Sequence, residues 1–189
     1  MKGLMVYIFD MGGVVACDTN VLPAIAENLN LSLDELYGWT REFGRALSEG
    51  RLSTREFWQI FSERSGTRIS EDLFRTCFNP RLNMNMVSLI EHLKQHHRVV
   101  CGTNTIAPHY AHHRRSGDYD CFDAVYASHI MGIAKPRIEF YTHILNAEEI
   151  TASQSIFIDD RLENVEAARQ TGIQAIHFTG YEALREMLK

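Results

Sequence analysis

Several residues whose side chains or backbone groups can bind phosphate and divalent cations stand at the ends of short apolar segments or, in the case of Lys135, on a loop before a helix. They are Asp10, Gly12, Gly13, Thr103, Asn104, Lys135, Asp159 and Asp160. Crowded carboxylates repel one another unless a cation neutralises them, and Mg²⁺ prefers carboxylate oxygens. The Gly12–Gly13 turn can expose backbone amides to an anion. Together with a hydroxyl and a lysine, these groups predict a site for phosphoryl chemistry.

Each of these residues also has an ordinary structural explanation. An aspartate at a strand end is commonly a turn residue or a helix cap. The Asp159–Asp160 pair would complement the dipole of a following helix. Thr103 alone is typical of a turn, and Lys135 alone is typical of a solvated surface charge. Their joint placement, each where a strand or a loop should end, favours the functional interpretation.

The elements that must position these residues are short apolar runs that alternate with helical patterns. The runs that predict buried strands cover residues 4–9, 98–103, 124–128, 155–158 and 174–178. Apolar residues at helical spacing predict helices over residues 86–97, 137–145 and 162–170. Alternation of strand and helix predicts a parallel α/β sheet. Right-handed crossovers then place all strand carboxyl ends at one edge, where ligands bind in such sheets.

The segment between about residue 16 and residue 84 has a different pattern. Ser32–Glu35 and Ser53–Glu56 both fit the capping box that begins a helix. Apolar residues at helical spacing follow each box, and no part of the segment predicts a strand. We therefore expect an α/β core domain of residues 1–15 and 85–189, interrupted by a helical cap domain of residues 16–84.

Composition excludes several classes of protein. The chain has 189 residues, of which 45% are hydrophobic, so it is too apolar for a disordered protein. A formal net charge of −5 argues against nucleic acid and anionic membrane as partners, because both favour basic patches. No apolar stretch approaches the length of a transmembrane helix. The sequence predicts a cytoplasmic protein and leaves open whether it is a monomer or a homodimer.

The cysteines and histidines suggest no further chemistry. The four cysteines lack the spacing of zinc ligands and need no disulfide framework. The densest group of histidines lies within residues 109–115. No cysteine or carboxylate near it has ligand spacing, so we expect a solvated, partly basic surface helix or loop.

Four short motifs carry a resemblance to a known family. They are FDMGGV at residues 9–14, CGTNT at residues 101–105, KP at residues 135–136 and IDD at residues 158–160. In this order the sequence resembles the haloacid dehalogenase superfamily over its whole length. Within it, the chain is similar to small phosphatases of the sugar-phosphatase type, including bacterial glucose-1-phosphatase-like members. The resemblance implies a Rossmann-like three-layer α/β core with a small helical cap inserted after the first strand.

The resemblance also implies a nucleophile and a metal site. Asp10 would form an aspartyl-phosphate. Its second carboxylate oxygen would bind Mg²⁺ together with the backbone carbonyl of Gly12 and the carboxylate of Asp160. Asp159 would be a direct metal ligand or a partner of the ligands.

The remaining motif residues would bind the phosphoryl group. The resemblance assigns this role to Thr103 and to the amide of Asn104, beside the Gly12–Gly13 turn. Lys135 would neutralise the charge of Asp10 and of the transferred group. Positioning and charge neutralisation are the main requirements of phosphoryl transfer.

Gly12 departs from the family pattern. Phosphatases of the family usually have a second aspartate two residues after the nucleophile, where it serves as a general acid and base. Loss of a general acid removes a factor of about 10² to 10⁴ in rate. We therefore expect a preference for leaving groups that need little protonation, such as those of sugar 1-phosphates, acyl phosphates and aryl phosphates.

The sequence thus predicts a Mg²⁺-dependent phosphatase that acts on a small phosphorylated metabolite, such as a sugar phosphate. One alternative is a catalytically weakened phosphate-binding or interaction protein, which Gly12 would explain. Another is a 2-haloacid dehalogenase, in which Asp10 would attack carbon without a metal. The Asp159–Asp160 pair argues against the dehalogenase, because a site without metal has no cation to hold the pair.

Overall fold

A computed structural model describes residues 5–188 of the chain. Its main sheet has five parallel strands in the order β5-β4-β1-β6-β7. These strands are β1 (Val6–Phe9), β4 (Arg98–Thr103), β5 (Ala124–Ala127), β6 (Ser155–Asp159) and β7 (Gln174–His177). Two further strands, β2 (Ala16–Cys17) and β3 (Arg81–Leu82), pair antiparallel in a small second sheet.

Helices connect and cover these strands. Four of them lie between β2 and β3, namely α1 (Leu22–Leu29), α2 (Leu33–Ser48), α3 (Thr54–Ser65) and α4 (Leu73–Thr76). The others are α5 (Met84–Lys94), α6 (Ala107–Ser116), α7 (Ser128–Met131), α8 (Ile138–Ala147), α9 (Leu162–Gln170) and α10 (Tyr181–Met187), with a 3₁₀ turn at Ala152–Gln154. Among the described residues, no helix combines the length and the apolar character needed to cross a bilayer.

The central strand β1 shows why the sheet is covered on both faces. Its side chains alternate, because successive residues of a strand point to opposite faces. Tyr7 and Phe9 pack in the cluster that includes α5 and α10, whereas Val6 and Ile8 pack in the cluster that includes α8 and α9. All four side chains are buried. The predicted three-layer α/β fold is therefore confirmed.

The register of β1 brings the ends of three strands together. Phe9 pairs with Cys101 of β4 on one side and with Ile158 of β6 on the other. All neighbours in this sheet run parallel, so their carboxyl ends meet at one edge. Asp10, the end of β4 and the end of β6 thus become neighbours, as predicted.

The helices between β2 and β3 have an apolar cluster of their own. Phe57, Trp58 and Phe61 of α3 lie at its centre, with ring centroids 4.9 to 6.4 Å apart. Both predicted capping boxes are present, at the start of α2 and at the start of α3. The helical character of this segment is confirmed, and its division from the core at residues 16 and 84 stays a prediction.

The absence of strands between residues 16 and 84 was predicted wrongly. Ala16 pairs with Leu82, and Cys17 pairs with Arg81, so a two-stranded ribbon joins the helical segment to the core. Strands of two residues are too short to show an alternating pattern.

The prediction of a solvated segment at residues 109–115 was also wrong for one face. This segment lies in α6, where Arg114 and Arg115 are exposed but His113 is only 3% exposed. The Nδ1 atom of His113 lies 2.7 Å from Oδ2 of Asp118. A buried imidazole is stable when it has a hydrogen-bond partner such as this carboxylate. Because polar residues surround His113 in the sequence, the pattern gave no sign that it is buried.

Candidate active site

Asp10 stands directly after β1 at the carboxyl edge of the sheet. Its backbone amide donates to the carbonyl of Ile158 at 2.9 Å, which continues the pairing with β6 for one residue. Its side chain is buried, and Oδ1 accepts a hydrogen bond of 2.8 Å from the amide of Met11. Burial raises the pKa of Asp10 to about 6, although the charge of Lys135 acts in the opposite direction. The site therefore holds a carboxylate that is costly to keep charged without cations.

Lys135 supplies a buried cation to this carboxylate. Its Nζ lies 2.9 Å from Oδ1 of Asp10 and 2.7 Å from Oδ2 of Asp159, and it donates to the carbonyl of Gly102 at 2.9 Å. Three acceptors thus match the three donors of an ammonium group. Burial acts to lower the pKa of Lys135, but the charges of Asp10 and Asp159 outweigh it and raise the pKa. The lysine stays protonated and holds the two carboxylates together.

Asp159 is the fully buried centre of a hydrogen-bond network. Its Oδ2 binds Lys135, and its Oδ1 accepts from the amide of Arg161 at 2.8 Å. The side-chain amide of Asn164 donates to both oxygens, at 3.0 and 3.1 Å. With these partners, Asp159 orients the lysine and adds negative charge beneath the site.

Asn164 is a site residue that the sequence analysis missed. It is 2% exposed and belongs to the first turn of α9. Leu162, at the start of the same helix, is 50% exposed, so its apolar character does not mark the face that turns towards the site. The side-chain nitrogen of Asn164 binds Asp159, whereas its Oδ1 has no hydrogen-bond partner within residues 5–188. A polar residue four positions after the aspartate pair was the available signal.

Asp160 completes the group of carboxylates. Asp10, Asp159 and Asp160 each offer an oxygen, and these atoms all lie within 4.8 Å of one another. Burial first, and then the charge of Asp159, raise the pKa of Asp160. One lysine compensates only part of the charge of three carboxylates, so this set of hard oxygen donors fits Mg²⁺, which commonly binds to one or two carboxylates and retains water.

Gly13 makes room for Asp160. A Cβ atom at this position would lie 2.3 Å from Oδ2 of Asp160, and the backbone φ of +79° also favours glycine. The amide of Gly13 donates to the carbonyl of Ala16 at 2.8 Å. This amide is therefore not free for an anion, contrary to the predicted role of Gly13 in an amide nest, and the residue instead clears space beside the carboxylates.

Thr103 is the last residue of β4, beside Asp10 at the edge of the sheet, and Asn104 follows it. Thr103 is buried at the last position of the strand. The side chain of Asn104 donates to the carbonyl of Lys135 at 2.9 Å and accepts from its amide at 2.8 Å. The side chain of Asn104 thus anchors the lysine loop. This structural role is separate from the phosphate-binding role that the resemblance implies for the same residue.

Two adjoining cavities open at this edge of the sheet. The first has a volume of about 260 Å³ and is lined by Asp10, Gly12, Gly13, Thr19, Asn104, Lys135, Asp160, Arg161 and Asn164. The second has a volume of about 130 Å³ and shares Gly12, Thr19 and Asn104 with the first. Thr19 was missed in the sequence, and its Oγ1 lies 3.2 Å from where a Cβ on Gly12 would stand. The two cavities therefore share part of their wall beside the carboxylates.

A buried carboxylate, a buried lysine and an acidic cluster thus meet at the carboxyl edge of the parallel sheet. The family profile of the haloacid dehalogenase-like hydrolases matches residues 4–172. The chain belongs to this family, which confirms the resemblance carried by the four motifs.

Similar proteins agree with this assignment. A sesquiterpene phosphatase of Aspergillus oryzae is 33% identical over 179 residues, which cover 91% of this chain and 88% of the relative. A haloacid dehalogenase family enzyme of Bacteroides thetaiotaomicron has a TM-score of 0.84 at 20% identity, over 100% of both chains. An aspartate-to-alanine variant of that enzyme, in complex with magnesium and inorganic phosphate, has a TM-score of 0.78 at 21% identity, over 92% of this chain and 93% of that one.

Proposed function

We propose that this chain is a Mg²⁺-dependent phosphatase that hydrolyses a small phosphorylated metabolite through an aspartyl-phosphate on Asp10. The observation that carries the proposal is the position of Lys135, which lies 2.9 Å from Asp10 and 2.7 Å from Asp159. A cation held against the nucleophile lets an anionic carboxylate meet an anionic ester. The phosphatase activity named for the Aspergillus relative supports the same chemistry.

In the first step, a carboxylate oxygen of Asp10 attacks phosphorus, and the bond from phosphorus to the alcohol oxygen breaks. Lys135 and the amide of Met11 hold Oδ1, which orients the carboxylate for this attack. Thr103 lies at the end of the neighbouring strand, where its hydroxyl would bind a phosphoryl oxygen. In the second step, water attacks phosphorus and the bond from phosphorus to the Asp10 oxygen breaks, which releases inorganic phosphate and regenerates the carboxylate. The proton lost by this water balances the one that the released alkoxide or phenolate takes up from solvent.

The metal would be held by Asp10, Asp160 and the carbonyl of Gly12, with Asp159 as their charged and hydrogen-bonded neighbour. Bound there, Mg²⁺ would neutralise charge on the phosphoryl group. The magnesium and phosphate bound by the Bacteroides enzyme support this assignment. Asn104 and Asn164 act indirectly, because they fix Lys135 and Asp159.

The metal requirement is tested by hydrolysis of p-nitrophenyl phosphate. We expect turnover with Mg²⁺ and a loss of roughly 10²-fold or more with excess EDTA, because carboxylates alone repel the ester. Re-addition of Mg²⁺ should restore the rate. Turnover that persists in EDTA would refute the metal-dependent proposal, and no turnover of any phosphate ester would favour the weakened phosphate-binding protein.

The missing general acid at Gly12 leads to a second expected result. Phenyl phosphate should be hydrolysed at least about 10²-fold faster than cyclohexyl phosphate. Phenolate can leave without being protonated, whereas the much more basic cyclohexanolate needs a proton to leave. The two rings are similar in size, so binding differs little. Gly12→Asp should raise the rate for the cyclohexyl ester more than for the phenyl ester. Equal rates for the two esters in the unmodified enzyme would mean that another group supplies the proton.

A further inference from the structure

A third and larger cavity, here called the basal cavity, lies at the opposite edge of the sheet from Asp10. Its volume is about 760 Å³, which is within the range of small-molecule binding sites. Its lining includes Met5, Ile156 and Gln174, which lie at the amino ends of β1, β6 and β7. The active site lies at the carboxyl ends of the same strands. The basal cavity is therefore a separate space.

Two helices contribute most of the remaining lining of the basal cavity. The lining residues of α5 and α10 include Ser88, Leu89, His92, Leu93, Tyr181 and Arg185. Residues that are four apart share a helix face, so each helix turns one face to the cavity. Within residues 5–188, no aspartate or glutamate lines it. The lining therefore combines apolar surface with groups that donate hydrogen bonds or carry positive charge.

Tyr7 contributes a hydroxyl that has no partner in the protein. The residue is only 7% exposed, and its hydroxyl forms no hydrogen bond within residues 5–188. It does not belong to the unpaired side-chain atoms that the protein encloses completely, which are those of Tyr119, His129 and Asn164. The hydroxyl is therefore open to the cavity that Tyr7 lines. Burial raises the pKa of Tyr7, so the hydroxyl keeps its proton and can donate it.

His97 offers a second donor beside Tyr7. The centroids of the two rings lie 5.2 Å apart, and both residues line the basal cavity. Nδ1 of His97 accepts a hydrogen bond of 3.3 Å from the amide of Met5. The ring proton is then on Nε2, which becomes a donor. Nε2 has no partner within residues 5–188 and is not completely enclosed, so the cavity has two neighbouring donors without acceptors.

Basic side chains from both helices lie around the same cavity. Nη1 of Arg185 lies 3.8 Å from Oε2 of Glu182, and both side chains are exposed. Such a solvated pair is weak, so the guanidinium can also attract an anionic ligand. His92 and His96 are exposed and form no hydrogen bond with the described residues. Donors and positive charge without any carboxylate favour an anion, and the leucines of α5 favour an apolar body.

We propose that the basal cavity binds a small amphipathic carboxylate, whose oxygens accept hydrogen bonds from Tyr7 and His97 and whose apolar chain packs against the leucines of α5. Two donors match the two oxygens of a carboxylate, and they serve a phosphate group, which has more oxygens and more charge, less well. The charge of Arg185 offsets that of the ligand. The site is remote from Asp10 and does not depend on the proposed phosphatase function.

The test measures the binding of octanoate by isothermal titration calorimetry. We expect saturable binding to the unmodified protein with a Kd below about 1 mM. Octan-1-ol has the same chain without the charge and should bind roughly tenfold more weakly. Tyr7→Phe removes only the hydroxyl and should weaken octanoate binding roughly tenfold. The matched control is Tyr37→Phe at an exposed position of α2, which should leave the Kd within about twofold.

A second variant tests the charge without disturbing the interior. Arg185→Met should weaken the binding of octanoate by about threefold and leave that of octan-1-ol unchanged, because only the anion interacts with the guanidinium. Arg115→Met, at an exposed position of α6, is its control and should affect neither ligand. The Tm of each variant reports on folding, and the Arg185 result decides the matter if Tyr7→Phe does not fold.

Four results would overturn the proposal. They are the absence of saturable octanoate binding, equal binding by the unmodified protein and a folded Tyr7→Phe variant, displacement of octanoate by inorganic phosphate with Mg²⁺, and binding that appears only when residues 2–4 are removed. Displacement by phosphate would mean that octanoate binds at Asp10. Binding only after removal of residues 2–4 would mean that the start of the chain fills the cavity. None of these measurements uses turnover, so a failure of the phosphatase proposal would leave them unaffected.

Discussion

Asp10→Asn is expected to abolish the hydrolysis of phosphate esters, with kcat lowered by roughly 10³-fold or more. The amide oxygen of asparagine carries no charge and is a poor nucleophile, so the aspartyl-phosphate cannot form. Lys135 keeps its contact with Asp159 at 2.7 Å, so the variant should still fold. Release of p-nitrophenol with Mg²⁺ measures the effect, and the Tm reports on folding.

The matched control for this variant is Asp34→Asn. Asp34 is an exposed carboxylate in the first turn of α2. The same chemical change there should leave kcat within about twofold, because an exposed charge far from the site contributes little. An Asp10→Asn enzyme that is folded and retains a tenth or more of the activity would rule out Asp10 as the nucleophile.

Lys135→Met is expected to have the largest effect on stability as well as a severe effect on activity. Methionine fills similar space but leaves the carboxylates of Asp10 and Asp159 buried without their cation. Removal of one partner from a buried ion pair costs about 3 to 5 kcal/mol in the free energy of unfolding. Urea denaturation at neutral pH in EDTA measures this loss, since added metal would replace part of the missing charge.

The control for this substitution is Lys94→Met. Lys94 is partly exposed, and its Nζ lies 3.4 Å from Asp123. Loss of such a solvated pair should cost about 0 to 1 kcal/mol. If both lysine variants unfold at the same urea concentration, then Lys135 is not the cation that stabilises the acidic centre.

Much of the architecture follows from local pattern. Short apolar runs that end in polar residues, separated by helical periodicity, suffice to predict parallel strands with one functional edge. This success has a simple cause, because burial on both faces of a parallel strand leaves a continuous apolar run in the sequence. The structure adds that the strands ending at Asp10, Thr103 and Asp159 are neighbours in the sheet, which the local pattern left open.

The pairing of side chains within the site does not follow from such patterns. Asn104 and Lys135 are 31 residues apart, yet their reciprocal hydrogen bonds hold the lysine loop. The amide of Gly13 is occupied by Ala16 because the chain turns back after β1. Which groups form a hydrogen bond depends on differences of a few tenths of an ångström in the donor–acceptor distance. Residue type alone does not determine these distances.

The sequence alone therefore predicts which polar residues end the strands at one edge of the sheet, since apolar runs and their polar ends are local features. The contacts of Asp159 and Asn164 and the burial of His113 appear only in the folded chain. They depend on contacts between segments that are distant in sequence, because Asp159 binds Lys135 and His113 packs against Phe78. Burial then changes the chemistry of these groups, because a histidine or a hydroxyl removed from water must find a partner or remain neutral.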